Sequence, residues 1–181
     1  MNLKNLSVKN KIPKIFKKSL NNRKIDQIYK KFKKSLDIKK DFAVAVSGGS
    51  DSLSLAFLSK VYSIEKKLRA KFFIVDHRLR PESTNEAKIV RQALNKVRIK
   101  AEILTRKGKK PSSNIQSIAR KERLKLLFKK CEKYKINNIL LGHHEGDLVE
   151  NFFIRMIRGS GLKGLISLSK KNKMGHINLL R

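Results

Sequence analysis

The stretch Phe42–Ser52, Phe-Ala-Val-Ala-Val-Ser-Gly-Gly-Ser-Asp-Ser, decides how the rest of the chain is to be read. Five apolar residues without a polar break fit a strand covered on both faces, as in a parallel sheet. Ser47, Gly48, Gly49 and Ser50 then turn the chain. Asp51 and Ser52 open a segment with apolar Leu53, Leu55, Ala56, Leu58 and Val61, the spacing of a helix. A strand, a glycine-rich turn and a helix N-terminus together make an anion site: glycines let backbone N–H groups approach, hydroxyls add donors, and the helix dipole favours negative charge. The Walker loop is excluded, because no Lys-Ser/Thr pair follows the last glycine. The plain alternative is a strand-to-helix turn capped by Ser or Asp. Three serines, a carboxylate and two glycines in six residues favour a nucleotide phosphate.

Outward from this stretch, strand and helix patterns alternate. Lys71–Asp76 is predicted as a second strand, followed by a helix near Thr84–Val97 with Ser83 and Glu86 at capping-box spacing. Arg98–Thr105 is a weaker strand. Ser113 and Gln116 suggest a second capping box, for a helix running through Tyr134. Asn138–Gly142 is a short strand, a further helix runs through Arg158, Gly159–Gly164 is a loop, and His176–Leu180 is a last strand. Such alternation predicts an α/β fold, a doubly wound, mostly parallel sheet with right-handed crossovers. Ligands of these sheets bind beyond the carboxyl ends of the strands. Ser47–Ser52, Asp76–Arg80 and Gly142–Glu150 all fall at such ends.

Residues 1–40 differ from the remainder and are expected to form a basic, partly helical extension, with residues 41–181 as the nucleotide-binding domain. A mobile start rich in lysine leads to Asn21-Asn22. An amphipathic helix is then predicted, with Ile25, Ile28, Tyr29, Phe32 and Leu36 on the packed side and Lys30, Lys31, Lys33 and Lys34 on the other.

Composition sets the outer bounds. A chain of 181 residues with 40% apolar content can bury a core. Its formal charge of +31 favours a polyanionic partner, RNA or a membrane surface. No run approaches the 18 or so apolar residues of a membrane span, and the N-terminus has no signal-peptide core. Cys131 is the single cysteine, so neither a disulfide nor a Cys-x-x-Cys pair exists; it is expected to be a buried, inert thiol. A cytoplasmic location fits these features. Gly159–Gly164 matches Gly-x-Gly-x-x-Gly but follows a helix rather than a strand, the wrong context for a dinucleotide fingerprint.

The remaining constellations are polar. His77 and Arg80 end the second strand, placed to meet a sugar or a reacting polyanion. Asp147 and Glu150 are three apart on one predicted helix face and suit a cationic ligand, the ammonium of an amino acid or Mg²⁺. His143 and Asp147 have metal-ligand spacing, but no second histidine in register and no cysteine accompanies them, which argues against zinc.

Ser47–Ser52 resembles the Ser-Gly-Gly-x-Asp-Ser loop of the ATP pyrophosphatases, which split ATP into AMP and pyrophosphate. Further pieces resemble one branch of that superfamily, the tRNA(Ile)-lysidine synthetases. These are Asp76-His77-x-Leu79-Arg80 with Ser83 and Glu86-Ala87, Asn114 with Ala119-Arg120 and Arg123, His143-His144-x-x-Asp147-x-x-Glu150, and Arg155-x-x-Arg158-Gly159-Ser160-Gly161-Leu162-x-Gly164-Leu165. They run in family order from about residue 42 to the end.

The resemblance implies ATP and Mg²⁺ as cofactors, with tRNA(Ile) and free L-lysine as partners. ATP would be held by Ser47, Gly48, Gly49, Ser50, Asp51, Ser52, His77 and Arg80, with Asp51 as metal ligand. Asp147 and Glu150 would hold lysine; Asp51, His143 and Asp147 would be the catalytic set. Arg120, Arg123, Arg155, Arg158 and Lys163 would contact phosphate of ATP or tRNA. The chain departs from the family at Gly146, Leu148, Asn151 and Leu124, where Asp, Gln, Thr and Tyr are usual. It ends at Arg181, where the family commonly continues into further tRNA-holding domains, so the resemblance implies either a catalytic-domain piece or an unusually short member. Two other readings stand beside this one. One is another adenylating enzyme of the superfamily, although thiolation of tRNA cytidine would call for paired cysteines. The other is a non-catalytic basic RNA-binding module of the same fold.

Overall fold

The structure, a computed structural model, describes residues 12–108, 111–142 and 171–180. Its frame is a sheet of β1 (Phe42–Val46), β2 (Ala70–Asp76), β3 (Ala101–Thr105), β4 (Asn138–Leu141), β5 (Lys171–Met174) and β6 (Ile177–Leu180). The spatial order is β3-β2-β1-β4-β6-β5. The first five strands of that order run parallel, and β5 is antiparallel to β6 at the edge. Helices α3 (Ser50–Glu65), α4 (Ser83–Lys96) and α5 (Ile115–Lys133) make the crossovers between β1 and β2, β2 and β3, and β3 and β4. The chain winds outward from β1 to β3 and then returns to lay β4 against the other side of β1. The reversal point is therefore the crevice between β1 and β4.

β1 serves two cores. Phe42, Val44 and Val46 of β1 face one cluster with Ala56, Val61 and Tyr62 of α3 and Ala87 and Leu94 of α4. Ala43 of β1 faces the other, with Leu127 and Cys131 of α5, Ile139 and Leu141 of β4 and Ile177 and Leu179 of β6. Helices cover both faces, which is the doubly wound arrangement. Cys131 is fully buried as expected, and burial, aided by Glu132, pushes its thiol up to about 12.

Several local expectations are corrected. The start of the chain is not irregular throughout: α1 (Lys14–Leu20) places Phe16, fully buried, in the first core and 5.2 Å from the Phe57 ring. α2 (Arg23–Ser35) begins where Asn22 Oδ1 accepts the N–H groups of Lys24 and Ile25 at 3.0 and 3.4 Å. Its packed stripe runs through Tyr29 and Phe32, while Ile28 lies 55% exposed on the flank. Tyr29 Oη donates to Glu65 of α3 at 2.5 Å, and Lys33 bonds the same carboxylate. Burial opposes ionisation of Glu65, but these two bonds and the charges of Lys33 and Lys66 outweigh it and hold the carboxyl below its ordinary range.

Neither capping box forms. α4 starts at Ser83 itself, so Ser83 Oγ accepts from Arg80 N at 3.2 Å, and Glu86 pairs with the Arg80 guanidinium instead of a backbone N–H. Before α5 the cap position falls to Asn114, in the left-handed conformation at φ 50°, and no side chain caps the helix. β5 was unforeseen because Lys-Asn-Lys-Met has no apolar run; it forms by folding back on β6 through Gly175 at φ 63°. Lysines on an edge strand discourage edge-to-edge pairing.

Candidate active site

The crevice is shaped by its glycines and one serine. Ser52, buried in the first turn of α3, accepts bonds from Ser47 N–H and Gly48 N–H, both at 3.1 Å, pairs with the Ser47 hydroxyl at 3.1 Å and donates to Gly49 C=O at 2.9 Å. Its hydroxyl thus folds the loop onto itself, and two N–H groups expected to meet an anion are already engaged. The donors left for a ligand are those of the helix start. The first helical bond is Leu53 N–H to Gly49 C=O at 3.0 Å, so Ser50, Asp51 and Ser52 have no earlier carbonyl to bond. The cap residue is Gly49, which has no side chain to fill that role. An uncapped helix N-terminus at the reversal point of a parallel sheet is built to receive negative charge.

Close approach explains two glycines. Gly48 has φ 97°, and a Cβ there would meet Val90 Cγ2 of α4 at 2.6 Å. At Gly142, which follows β4, a Cβ would lie 3.0 Å from Ser52 Cα and 3.1 Å from Ser52 N. A side chain at this position, just after β4, would have to push the α3 N-terminus back by a few tenths of an ångström.

A cavity of about 290 Å³ opens beside this crevice. Ser47, Ser52, His77, Arg80, Arg123 and Gly142 supply its polar edge, with Leu79 and Val90 among its apolar walls. His77 is half-buried, and among the described residues its buried Nδ1 has no hydrogen-bond partner. Burial, then the charge of Arg123, and more weakly that of Arg106, pull its pKa below 6.5 against the opposing pull of Asp76. The imidazole is therefore neutral at pH 7, with one nitrogen free to accept a proton or a hydrogen bond. Asp76 itself is committed to its loop: its carboxylate accepts from Arg78 N at 3.0 Å and Thr84 Oγ1 at 2.8 Å.

The structure thus brings Ser47–Ser52, His77, Arg80 and Arg123 to one sheet end. It leaves Arg120 exposed on α5 and away from the cavity wall, and Asp51 exposed at the helix start with the Ser50 hydroxyl 3.4 Å from its Oδ1. His143, Asp147, Glu150, Arg155, Arg158 and Lys163 lie outside the described residues. Among the described residues no group of three His, Cys, Asp or Glu side chains is placed to hold a metal. A lone carboxylate such as Asp51 still fits Mg²⁺, which is commonly held by one or two carboxylates together with substrate phosphates. Sequence reasoning missed Arg106. It is 8% exposed, follows β3 directly and donates its backbone N–H to Asp76 C=O at 2.9 Å. Its position after a strand end, the same signal that singled out His77, would have found it.

A family model described as "PP-loop domain" matches residues 18–181. The chain belongs to the PP-loop family. Among curated relatives, tRNA(Ile)-lysidine synthase of Orientia tsutsugamushi is 43% identical over 125 residues, covering 69% of this chain and 28% of that protein. The enzyme of the same name from Rickettsia bellii is 38% identical over 127 residues, 70% of this chain and 30% of the relative. That from the Wolbachia of Brugia malayi is 36% identical over 141 residues, 77% and 33%. This PP-loop chain therefore spans about a third of the length of these relatives. Among solved structures, the U34-tRNA thiolase NcsA from Methanococcus maripaludis with its [4Fe-4S] cluster superposes with a TM-score of 0.73 at 20% identity, over 86% of this chain and 58% of that one. That likeness carries the fold alone.

Proposed function

We propose that this chain carries the catalytic PP-loop of a tRNA(Ile)-lysidine synthase acting in the cytoplasm. The observation that carries the reading is the 36 to 43% identity to enzymes of that name across most of the chain. In the reaction, oxygen 2 of the wobble cytidine attacks the α-phosphorus of ATP, and the bond to pyrophosphate breaks. The amine of free lysine then adds at carbon 2, loses its proton, and AMP departs with the oxygen.

The geometry supports the first step. The uncapped N–H groups at Ser50–Ser52 favour charge accumulating on the leaving pyrophosphate, and being fixed they need no reorganisation as it forms. Arg123 adds positive charge at the cavity edge, where the charge of Arg80 is offset by its pair with Glu86. Neutral His77 can accept a hydrogen bond from the nucleotide. Asp51 would hold Mg²⁺, directly or through water; the ion's contribution, when bound, is to neutralise the phosphates. For the second step the assignments rest on the sequence motif: Asp147 and Glu150 bind lysine's ammonium, and His143 moves a proton. Arg120, Arg155, Arg158 and Lys163 contact phosphate of the tRNA or ATP.

The test is mass spectrometry of an unmodified isoleucine tRNA with a CAU anticodon, incubated with the protein, ATP, Mg²⁺ and lysine. The wobble cytidine is expected to gain the mass of lysine less one water, with AMP and pyrophosphate formed in step. Neither an adduct nor tRNA-dependent AMP release would return the chain to a non-catalytic RNA-binding role.

A further inference from the structure

A second basic concavity lies at the opposite end of the sheet. It is a groove of about 670 Å³ where the C-terminal ends of α2 and α3 meet the connections into β1 and β2, and Lys30, Lys33, Lys34, Lys39 and Lys66 line it. α3 spans the molecule from one site to the other. Its 16 residues put the groove about 24 Å from the uncapped helix start at 1.5 Å per residue. No part of the adenylation chemistry requires lysines there.

Charge accounting favours an anion. Lys30 pairs with Asp26 at 2.7 Å, an exposed contact of little strength, and Lys33 is held by Glu65. Lys34, Lys39 and Lys66 are exposed, and among the described residues none of them has a salt bridge. Asp37 is the one carboxylate in the lining. The adjoining connections add Lys40, Lys67 and Arg69, against Asp41, which Arg69 engages at 2.6 Å. Two helix C-termini subtract about half a charge each. The balance stays positive.

The walls of the groove are also tied together by hydrogen bonds. Tyr62 Oη donates to the carbonyls of Ile38 at 3.0 Å and Leu36 at 3.4 Å, fixing the connection that carries Lys39. The bonds of Tyr29 and Lys33 to Glu65 fix α2 on α3. The lysine stems therefore stand on a preformed wall, which lowers the ordering cost of binding.

We propose that this groove holds the phosphate backbone of the same RNA whose reacting base enters the cavity at the other end of the sheet. The proposal rests on the tRNA reading above. One ligand touching both sites must span about 24 Å, which a mononucleotide cannot do and a folded RNA arm can. A lipid surface is the weaker fit. Bilayer binding by a surface helix needs an apolar face turned outward, whereas α2 spends Tyr29 and Phe32 on the core and leaves Ile28 as its one large exposed apolar side chain. A flat membrane also cannot enter a concavity.

The test compares the parent chain with Lys34→Gln/Lys39→Gln/Lys66→Gln, which removes exposed charges and spares the structural Lys33. Binding of labelled full-length tRNA, of a short single-stranded oligonucleotide carrying the anticodon, and of ATP is followed between about 50 and 200 mM salt. Each lost phosphate contact lowers the log–log salt slope by roughly 0.7–0.9. The triple variant should lose about 2 from its slope with full-length tRNA and keep its binding of ATP and the short oligonucleotide. An unchanged slope overturns the proposal even if lysidine is still formed. If the parent chain binds tRNA but forms no lysidine, and the triple variant loses that binding, the groove stands and the catalytic reading fails. Vesicles with anionic phospholipid serve as the remaining arm; binding lost there alone, with RNA binding intact, overturns the proposal in favour of a membrane.

Discussion

His77 shows how a single side chain is set by its surroundings. Burial and the guanidinium groups of Arg123 and Arg106 depress its pKa below 6.5. In the unfolded chain it protonates first as pH falls, so the unfolded state binds more protons between 6.5 and the lower folded value. Stability must then fall with falling pH across that window and level off below it. We expect the urea midpoint of the parent chain to drop below about pH 6.5, and the His77→Gln variant to show a smaller drop. An equal drop in both would show that His77 does not carry the effect. The sequence marked His77 through its place after a strand end but could not supply its environment, because Arg106 follows β3 and Arg123 lies on α5. Ser52 was legible as a member of the loop and not as its organiser, since that role depends on a turn bringing four bonds to one hydroxyl.

At the scale of elements, the loop and the end of β4 are one unit joined at Gly142. Alanine there would press its Cβ on the Ser52 backbone at 3.0 and 3.1 Å, and backbone at a helix start cannot swing aside as a side chain would. Gly142→Ala should cost about 1–3 kcal/mol, the usual range for overpacking, and weaken ATP binding as α3 shifts. Gly49→Ala is the contrasting case. Its φ of −70° suits alanine and its Cβ would find only Ser47 Oγ, at 4.0 Å. That variant should unfold within about 1 kcal/mol of the parent yet bind ATP weakly, because the methyl group stands where the phosphate approaches the backbone. Denaturation and ATP titration of the two variants check both claims; full ATP affinity in Gly49→Ala would remove the phosphate role. Strand and helix identities were legible where apolar periodicity was strong, as in Phe42–Val46. The capping boxes failed because each helix start was displaced by one residue, and a box tolerates no displacement.

For the whole molecule, the parallel α/β class follows from the alternation of strand and helix patterns, which is written plainly in the sequence, whereas the reversal of strand order at β1 is set by tertiary packing. Nor is the edge hairpin written there, because β5 owes its existence to β6 beside it rather than to its own residues. Charge is the property that belongs to the chain as a whole: 45 lysines and arginines against 14 acidic residues. Such an excess acts twice, and with opposite dependence on salt. Within the folded chain like charges repel, and exposed ion pairs such as Arg80–Glu86 at 3.0 Å offset little of that repulsion. Raising sodium chloride shortens the screening length from about 30 Å at 0.01 M to about 8 Å at 0.15 M, so the thermal midpoint should climb. Relief of 1 kcal/mol corresponds to roughly 2–4 °C for a chain of this size. Sulfate and phosphate salts would confuse the reading, since they strengthen apolar burial by another route. RNA affinity should meanwhile fall steeply over the same salt range, because phosphate contacts release counterions. Calorimetric midpoints and tRNA titrations in matched chloride buffers should therefore move in opposite directions. A midpoint that stays level or falls would mean the positive charge is balanced locally in the fold, and its excess would no longer be a cost that RNA binding offsets.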